Sequence, residues 1–419
     1  MPIHVLDVYL YDKFVGKLTQ EKGNLSFSYS VLYLEKEGAI KLSASLPLSP
    51  ETFSHHIVEP FFSGLLPDEI VRKRLARYLG VSERNTFGLL KEIGGECAGA
   101  ISVYSEGIQP ESSEQLAYKI LEDKEADDVL SHLDKRPMLA GEEDIRISGA
   151  GAQDKLMISL VEGKIAIPLR NTPSTHILKP AIRYLDYSVH NEFFCMTLAK
   201  RLGLLTPSVD VYYLCGVPYY LVERYDRRLV HDGKITRLHQ EDFCQALHIP
   251  PEQKYENEGG PTLSQCFSLL DQRIKSGCMA GSQKIALLRG VIFNFLIGNG
   301  DAHGKNFSLL YDGHSESFSP LYDLMCTLVY SNFHKGKMAM KIGGKYKFTD
   351  VSMRHFEELA KTIGFRPDYV KKQVRDMADK IAQLAPKIQL DLNQNPQTAC
   401  ALYQEIVGVI KRNTKLIES

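Results

Sequence analysis

The segment KIALLRGVIFNFLIG, residues 284 to 298, is one of the most hydrophobic stretches of the chain. So continuous an apolar pattern predicts a helix that is buried on nearly every side, and therefore a helical region large enough to surround it. The residues that follow it, NGDAHGKNFSL, carry Asp301, His303, Lys305 and Asn306 within six positions. Polar side chains at the end of a buried helix predict a site that binds a polar ligand beside the core.

The spacing of Asp301 and Asn306 is D-x-x-x-x-N, which is typical of a protein-kinase catalytic loop. In that loop the Asp orients or deprotonates the attacking hydroxyl, and the Asn oxygen ligates magnesium. The later motif SPLYDLM supplies Asp323, a second hard oxygen ligand of the kind that magnesium prefers. The alternative is an Asx-rich turn in which Asp301 and Asn306 bond their own backbone. Two further motifs in the expected order weaken that alternative.

The first of these motifs is RISGAGAQDK, residues 146 to 155. Two glycines and two alanines leave little bulk, so the amide groups of the loop can approach an anion closely, and Ser148 adds a hydroxyl. The stretch lacks the Gly-Lys-Ser/Thr ending of a P-loop and the third glycine of the dinucleotide fingerprint. A strand is predicted after it, as after the glycine-rich loop of protein kinases. By itself the segment is equally compatible with a flexible turn.

The second motif is Lys179, at the end of the apolar strand THILKP. A lysine there can project into a cleft and neutralise phosphate charge, and Glu192 in the next helix is its expected acidic partner. Two simpler interpretations stay open. Lys179 can be a strand-end cation in water, and Glu192 can complement the N-terminus of its helix.

The order of predicted elements divides the chain of 419 residues. Residues 1–104 are predicted to be a small α+β unit, in which Pro67 opens an amphipathic helix with Ile70 on its apolar face that ends at Gly80. Residues 105–144 are acidic and are predicted to be a connecting segment, with EQLAYKILED as a helical stretch. Residues 145–235 are predicted to be a β-rich lobe with hairpins at Glu162-Gly163 and Cys215-Gly216, where apolar runs flank a glycine turn. The lobe includes one helix, for which Ser188 is the expected N-cap, and residues 236–419 are predicted to be a helical lobe. The fold class expected is α+β and bilobed, as in a kinase.

Composition limits the possible partners. The formal charge of -1 gives no global attraction to nucleic acid or to an anionic membrane. Neither a basic leader nor an apolar run of membrane-spanning length is found in the sequence, which predicts a cytoplasmic protein without a membrane partner.

Taken together, these motifs make the chain similar to the HipA-like serine/threonine kinases, the toxins of bacterial toxin-antitoxin pairs. The resemblance extends from FFSGLLPDEIVRKRLA and LLKEIGGECAGAI through SGAGAQDK, HILKP, NEFF and VERYDR to GDAHGKN and SPLYDL. It implies a kinase core related to that of phosphatidylinositol kinases, preceded by a small N-terminal subdomain. ATP and Mg²⁺ are the implied cofactors.

The resemblance also implies roles for individual residues. Asp301 would be the catalytic proton acceptor, Asn306 and Asp323 the metal ligands, and Ser148 a serine whose autophosphorylation ejects the loop and switches the kinase off. The nucleotide-binding residues would be Ala150, Gly151, Ala152, Gln153, Asp154, Lys155, Lys179, Glu223, Arg224, Tyr225, His303, Gly304, Lys305, Asn306, Tyr322 and Asp323. Gly149 departs from the family, which more often has a bulkier apolar residue there, and is expected to make the loop more mobile.

A growth-arresting protein kinase is therefore the expected function, with an aminoacyl-tRNA synthetase, glutamyl-tRNA synthetase first, as the implied substrate. The implied partner is a helix-turn-helix antitoxin similar to HipB, through which the chain would reach operator DNA. A pseudokinase that acts as a corepressor through the antitoxin is the alternative, and phosphorylation of a lipid or small molecule is another. The lysine run in residues 333–348 is either a substrate-facing or tRNA-facing patch or a solvated hairpin.

Overall fold

The computed structural model describes residues 3–418 apart from 112–115, 143, 231–233 and 332–333. Its N-terminal part is built on an antiparallel sheet with the strand order β3-β2-β1-β4. The strands are β1 (His4–Leu10), β2 (Lys13–Glu21), β3 (Asn24–Tyr29) and β4 (Ile101–Ser105). Between β3 and β4 lie α1 (Val31–Leu34), α2 (His55–Gly64), α3 (Glu69–Leu79) and α4 (Thr86–Ile93). Their apolar faces form a core of their own against the sheet.

Two details of α3 differ from the prediction. The helix begins at Glu69 rather than at Pro67: Asp68 is the N-cap, with an extended backbone, and its amide donates to the carbonyl oxygen of Gly151 at 3.0 Å. Ile70 is 62% exposed and does not face the core. The predicted end at Gly80 is confirmed, with φ of 68°, the left-handed conformation that glycine adopts most readily.

The second part is a six-stranded antiparallel sheet with the order β5-β7-β6-β8-β10-β9. The strands are β5 (Tyr118–Ile120), β6 (Leu156–Val161), β7 (Lys164–Pro168), β8 (His176–Lys179), β9 (Val209–Leu214) and β10 (Val217–Glu223). The predicted hairpins at Glu162-Gly163 and Cys215-Gly216 are confirmed. Helix α6 (Ser188–Arg201) contacts β9 and β10 with its buried face. Ser188 is its first helical residue rather than its N-cap, and the Ser188 hydroxyl accepts a hydrogen bond from the amide of Ile182 at 2.7 Å.

The predicted helix over EQLAYKILED is wrong. Its first two residues lie outside the described residues, and Tyr118–Ile120 form the edge strand β5, in which Lys119 pairs with Ile167 of β7. The helix in this region is α5 (Asp123–Ser131). Local propensity favoured a helix, but the unpaired edge of β7 offered backbone hydrogen bonds that a strand could satisfy.

The third part is mainly helical and surrounds the apolar helix α9 (Ser282–Ile297), which ends as predicted at Gly298. The other helices are α7 (Phe243–Ala246), α8 (Leu263–Lys275), α10 (Met353–Thr362), α11 (Pro367–Asn393) and α12 (Leu402–Glu418). The short strands are β11 (Arg227–Leu229), β12 (Ile235–Arg237), β13 (His239–Asp242), β14 (Ser308–Asp312), β15 (Ser315–Phe318), β16 (Lys337–Ile342) and β17 (Lys345–Lys347). Helix α9 packs on α8, α11 and α12, so the buried helix that the apolar pattern predicts is confirmed. Across the described ranges, no helix combines the length and the apolar character that a membrane span requires.

Candidate active site

One cleft of about 540 Å³ lies between the six-stranded sheet and the helical part, and the N-terminal part closes one side of it. Most of the residues predicted from the sequence line this cleft. They are Ser148, Ala150, Gly151, Ala152, Gln153, Lys155, Lys179, Glu192, Glu223, Arg224, Tyr225, Asp301, His303, Lys305, Asn306, Tyr322 and Asp323. Segments that are distant in sequence are therefore gathered around a space large enough for a small ligand.

The glycine-rich loop is held in place by the N-terminal part of the chain. The amide of Ser148 donates to the carbonyl oxygen of Glu96 at 2.8 Å, and its hydroxyl donates to that of Leu65 at 2.7 Å. Ser148 is buried as a result. A Cβ at Gly149 would lie 2.3 Å from the Cε of Met157, so the loop is packed at the position where the sequence suggested extra mobility.

Asp154 and Lys155 point in opposite directions. The Asp154 carboxylate accepts a 2.6 Å hydrogen bond from Arg74 of α3, and Asp154 is not among the residues that line the cleft. Its predicted nucleotide contact stays a prediction. Lys155 is buried and donates to the carbonyl oxygen of Ala150. Burial, together with the nearby charge of Lys179, lowers the pKa of Lys155 to about 8.

Lys179 bridges two acids at the end of β8. Its ammonium group donates to Glu192 of α6 at 2.9 Å and to the carboxylate of Asp323. Burial opposes the charge of Lys179, but the attraction of Asp323 and Glu192 outweighs it and raises the pKa of Lys179. The predicted lysine-glutamate pair is therefore present, and the simple strand-end interpretation of Lys179 is excluded.

The two acids differ in their own ionisation. Burial raises the pKa of Glu192 to about 7 in spite of Lys179. The Asp323 side chain lies deep in the cleft but is 44% exposed to its open space. There the attraction of Lys179 and Lys155 overcomes the cost of removing it from bulk water and lowers the pKa of Asp323 to about 2. Asp323 has a φ of 51°, an uncommon backbone conformation of the kind found at functional sites.

The segment Glu223 to Tyr225, which the resemblance predicts to form the adenine-side hinge, is only partly available to a ligand. Glu223 and Tyr225 line the cleft, and the Tyr225 ring stacks on that of Tyr322 with 5.7 Å between centroids. The buried guanidinium group of Arg224 donates to Asp226 at 2.8 Å and to Glu96 at 3.4 Å. The guanidinium group of Arg224 is thus already paired with carboxylates, although Arg224 lines the cleft, and its predicted place in the nucleotide site stays a prediction.

The catalytic-loop motif brings Asp301 into the cleft. Its backbone amide donates to Asn299 at 3.0 Å, and its carboxylate accepts a hydrogen bond from the Tyr255 hydroxyl at 2.5 Å. Gly304 lies behind the cleft surface: a Cβ there would lie 2.6 Å from Pro261, so close packing rather than nucleotide contact accounts for this glycine. A nucleotide contact by the Gly304 backbone stays a prediction.

Lys305 and Tyr322 brace the same loop. The Lys305 ammonium donates to Asp242 at 3.0 Å and lies 3.8 Å from Asp68 of the N-terminal part. Burial opposes its charge, but Asp242 and Asp68 raise the pKa of Lys305. The Tyr322 hydroxyl donates to the carbonyl oxygen of Lys305 at 2.7 Å. The contacts of Lys305 with Asp242, Asp68 and Tyr322 thus stabilise the loop, and a contact between Lys305 and a nucleotide stays a prediction.

The oxygen atoms suited to a metal ion are Oδ1 of Asn306 and the carboxylate of Asp323. Oδ1 of Asn306 is buried and has no hydrogen-bond partner among the described residues, which fits an atom whose partner is a ligand. No group of three or more His, Cys, Asp and Glu able to hold a metal occurs in the part of the chain that the structure describes. Two protein oxygens suit Mg²⁺, which keeps several waters and bridges phosphate oxygens.

Sequence reasoning missed the contribution of the N-terminal part to the cleft. Gly64, Asp68, Glu69 and Ala98 all line it, although each is far along the chain from the kinase-type motifs. It also missed Tyr255, which follows no recognised motif. The clusters FFSGLLPDE and GGECAGA, rich in small residues, were the available signal, since small residues often mark a close approach of two backbones.

Glu96 joins the loop to the adenine-side segment. Its backbone pairs with that of Ile147, while its carboxylate contacts Arg227 at 2.9 Å and Arg224. Burial opposes its charge, but Arg227 and Arg224 outweigh that and lower its pKa. Glu96 is thus placed to position both segments although it does not line the cleft.

We expect Glu96→Gln to weaken ATP binding about tenfold, a loss of ~1.4 kcal/mol, because two buried arginines lose a countercharge beside the cleft. Titration calorimetry with ATP measures the effect. Glu106→Gln removes an exposed carboxylate that pairs with Lys17 and is the matched control, with no change expected. An unchanged ATP affinity in folded Glu96→Gln would contradict the positioning role.

Comparison with known proteins places these segments in one family. Residues 6–104 match the family model described as the HipA N-terminal domain, and residues 147–385 match the HipA-like C-terminal domain. The Sinorhizobium fredii protein named Putative kinase Y4mE is 40% identical over 392 residues, which cover 93% of this chain and 92% of that protein. The Serine/threonine-protein kinase toxin HipA of Shewanella oneidensis is 28% identical over 403 residues, 92% of this chain and 90% of the relative.

A solved structure of the Shewanella oneidensis HipA, HipB and operator DNA complex contains a chain that is similar in fold. It superposes with a TM-score of 0.83 at 25% identity and covers 99% of this chain and 97% of that one. This likeness confirms the predicted α+β, bilobed kinase-like fold.

Proposed function

Because this chain belongs to the HipA family of kinases, we propose that it transfers the γ-phosphoryl group of ATP to a serine or threonine of a protein and acts as a growth-arresting toxin. The observation that carries the proposal is the convergence of Lys179, Asp301, Asn306 and Asp323 on one cleft. These four side chains are the set that phosphoryl transfer requires: a phosphate-binding cation, a proton acceptor and two metal ligands.

Each residue has a role that its surroundings support. Asp301 accepts the proton of the attacking hydroxyl, and Tyr255 holds its carboxylate. Lys179, kept charged by Glu192, neutralises phosphate oxygens. Asn306 and Asp323 would hold Mg²⁺, which when bound neutralises charge on the β- and γ-phosphates. The stacked pair of Tyr225 and Tyr322 offers an apolar surface on the adenine side.

The loop serine offers a direct test. We expect intact-mass analysis after incubation with ATP and Mg²⁺ to show one added phosphate, and Ser148→Ala to show none. Ser148 is buried and bonded to Leu65, so its phosphorylation requires the loop to leave its observed position. The doubly negative phosphate cannot return to that buried place without a large cost, which is a physical reason for the kinase to be switched off.

The same experiment separates this proposal from the corepressor alternative. A chain that binds ATP but transfers no phosphate, either to itself or to a protein, would support a pseudokinase. The chemistry of the cleft argues against a pseudokinase, because a chain that only binds a partner needs neither a proton acceptor at Asp301 nor an unpartnered oxygen at Asn306.

The cellular context follows from the named relatives. The solved complex contains HipA, HipB and operator DNA, so we propose a HipB-like helix-turn-helix antitoxin as the partner of this chain and contact with DNA mainly through that partner. A net charge of -1 is compatible with an indirect route to DNA. An aminoacyl-tRNA synthetase, glutamyl-tRNA synthetase first, is the proposed substrate, and the cytoplasm is the proposed location. Phosphate incorporation into the purified synthetase tests the substrate.

A further inference from the structure

The hairpin formed by β16 and β17 carries a concentration of positive charge that the site described above does not use. Lys335, Lys337, Lys345 and Lys347 are exposed, and none of these four has an ion pair within the described ranges. We call these four residues the lysine hairpin. The predicted lysine run starts at Phe333, which lies outside the described residues, whereas the lysine hairpin lies entirely within them.

The arrangement of these lysines is unfavourable for the isolated protein. Lys337 of β16 pairs directly with Lys347 of β17, so two like charges face each other across the hairpin. Such a pair destabilises a two-stranded ladder, and residues 334–347 contain no acid that could offset it. The protein as a whole is nearly neutral, with a formal charge of -1, so the positive charge is a local feature.

Lys341, a further lysine of β16, already has partners within the protein. Its ammonium group lies 3.3 Å from Glu256 and 4.8 Å from the ring centroid of Tyr346. The other four lysines have no such arrangement. Their exposed charges are available to a partner.

The lysine hairpin lies beside the predicted proton acceptor. A Cβ at Gly300, the residue before Asp301, would lie 2.6 Å from the carbonyl oxygen of Lys337. On the other side, the amide of Lys341 donates to Glu256 at 2.7 Å, and the adjacent Tyr255 contacts Asp301. The hairpin therefore contacts both segments that position Asp301. A phosphoacceptor hydroxyl has to reach Asp301, so it also has to approach the hairpin.

We propose that the lysine hairpin is a docking surface for an acidic segment of the protein substrate, next to its phosphoacceptor residue. This inference rests on the proposed kinase function. Opposite charge at the rim of the site raises the rate of encounter and selects partners, which is the usual role of exposed charges at interfaces. Met338, Met340 and Ile342 of β16 alternate with Lys337 and Lys341 along the strand and pack into the core, which leaves Lys337 exposed on the opposite face.

A protein segment fits this surface better than RNA does. Single-stranded RNA is usually held by exposed aromatic rings on which its bases stack. Tyr346, the aromatic residue of β17, is instead partly buried under Lys341. Charge without a stacking platform favours carboxylates as the ligand.

The test compares the full-length protein with its Lys337→Glu/Lys347→Glu variant in binding a fluorescein-labelled peptide in which a run of glutamates precedes a serine. We expect the variant to bind the peptide about tenfold more weakly in low salt, with the difference shrinking as salt rises. Lys345→Glu, in which no cross-strand lysine pair is altered, repeats the test if the double variant fails to fold.

The matched control is Lys372→Glu/Lys380→Glu, which makes the same charge change on the exposed face of α11. It is expected to bind the peptide like the unaltered protein. The proposal is overturned if the unaltered protein does not bind the peptide, or if the folded hairpin variants bind it equally well. It is also overturned if the variants bind a labelled RNA oligonucleotide more weakly while their affinity for the peptide is unchanged. Failure of the proposed kinase function is a separate result, since it appears as absent Ser148 phosphorylation whether or not the peptide binds.

Discussion

Replacing Asp301 by Asn should slow phosphotransfer by about 10²- to 10⁴-fold, the range that a general base contributes. The amide keeps the shape of the side chain and can still contact Tyr255, but it cannot accept the proton of the attacking hydroxyl. ATP should still bind, since Lys179 and the glycine-rich loop are untouched. Single-turnover incorporation of phosphate into Ser148, followed by mass, measures the rate, and calorimetry measures ATP binding.

The control for this variant is Asp312→Asn, which makes the same chemical change at an exposed residue that pairs with Arg228 at 3.0 Å. Its rate should match that of the unaltered protein. Full phosphotransfer by Asp301→Asn together with normal ATP binding would show that Asp301 is not the proton acceptor. The remaining side chains of the cleft would then have to be searched for another one.

Replacing Lys179 by Met should lower the rate by about 10²- to 10³-fold, the cost typical of removing one preorganised electrostatic contact from a transition state. The effect has two sources. Phosphate oxygens lose a cation, and Glu192 and Asp323 lose the ammonium group that separates their charges. Met has a similar unbranched shape, so the variant should keep the packing of β8 against α6.

The rate of Lys179→Met is compared with that of Lys164→Met, in which an exposed lysine that pairs with Glu122 is removed. A thermal melt of both variants separates a change in catalysis from a loss of fold. An unimpaired rate in folded Lys179→Met would mean that phosphate charge is neutralised elsewhere, with Lys155 as the next residue to replace.

Several features could be predicted because they depend on neighbours in the chain. The two hairpins of the six-stranded sheet followed from glycine turns between apolar runs, and the ends of α3 and α9 from glycines with left-handed backbone. The pair formed by Lys179 and Glu192 followed from the resemblance to kinases, in which a strand and the next helix face each other. The edge strand β5 could not be predicted, because it depends on an unpaired edge more than 40 residues away in the chain.

The direction of single side chains was less predictable than their position. Asp154 and Lys155 are adjacent, yet one faces Arg74 and the other the cleft. Arg224 lies between two cleft residues but turns its guanidinium group toward Asp226. Arg74 and, for Arg224, Glu96 belong to distant segments, and no spacing rule records where such charges will lie.

By itself the amino-acid sequence determined the kinase-type motifs, their order and the buried helix that delivers Asp301 and Asn306, since helix periodicity, glycine turns and ligand chemistry act over a few residues. Tertiary structure alone decided that the N-terminal part closes the cleft through Glu96 and Asp68, which of the loop residues reach it, and that the lysine hairpin stands beside Asp301. These features depend on burial and charge pairing between segments far apart in the chain, and such contacts exist only after the whole chain has packed.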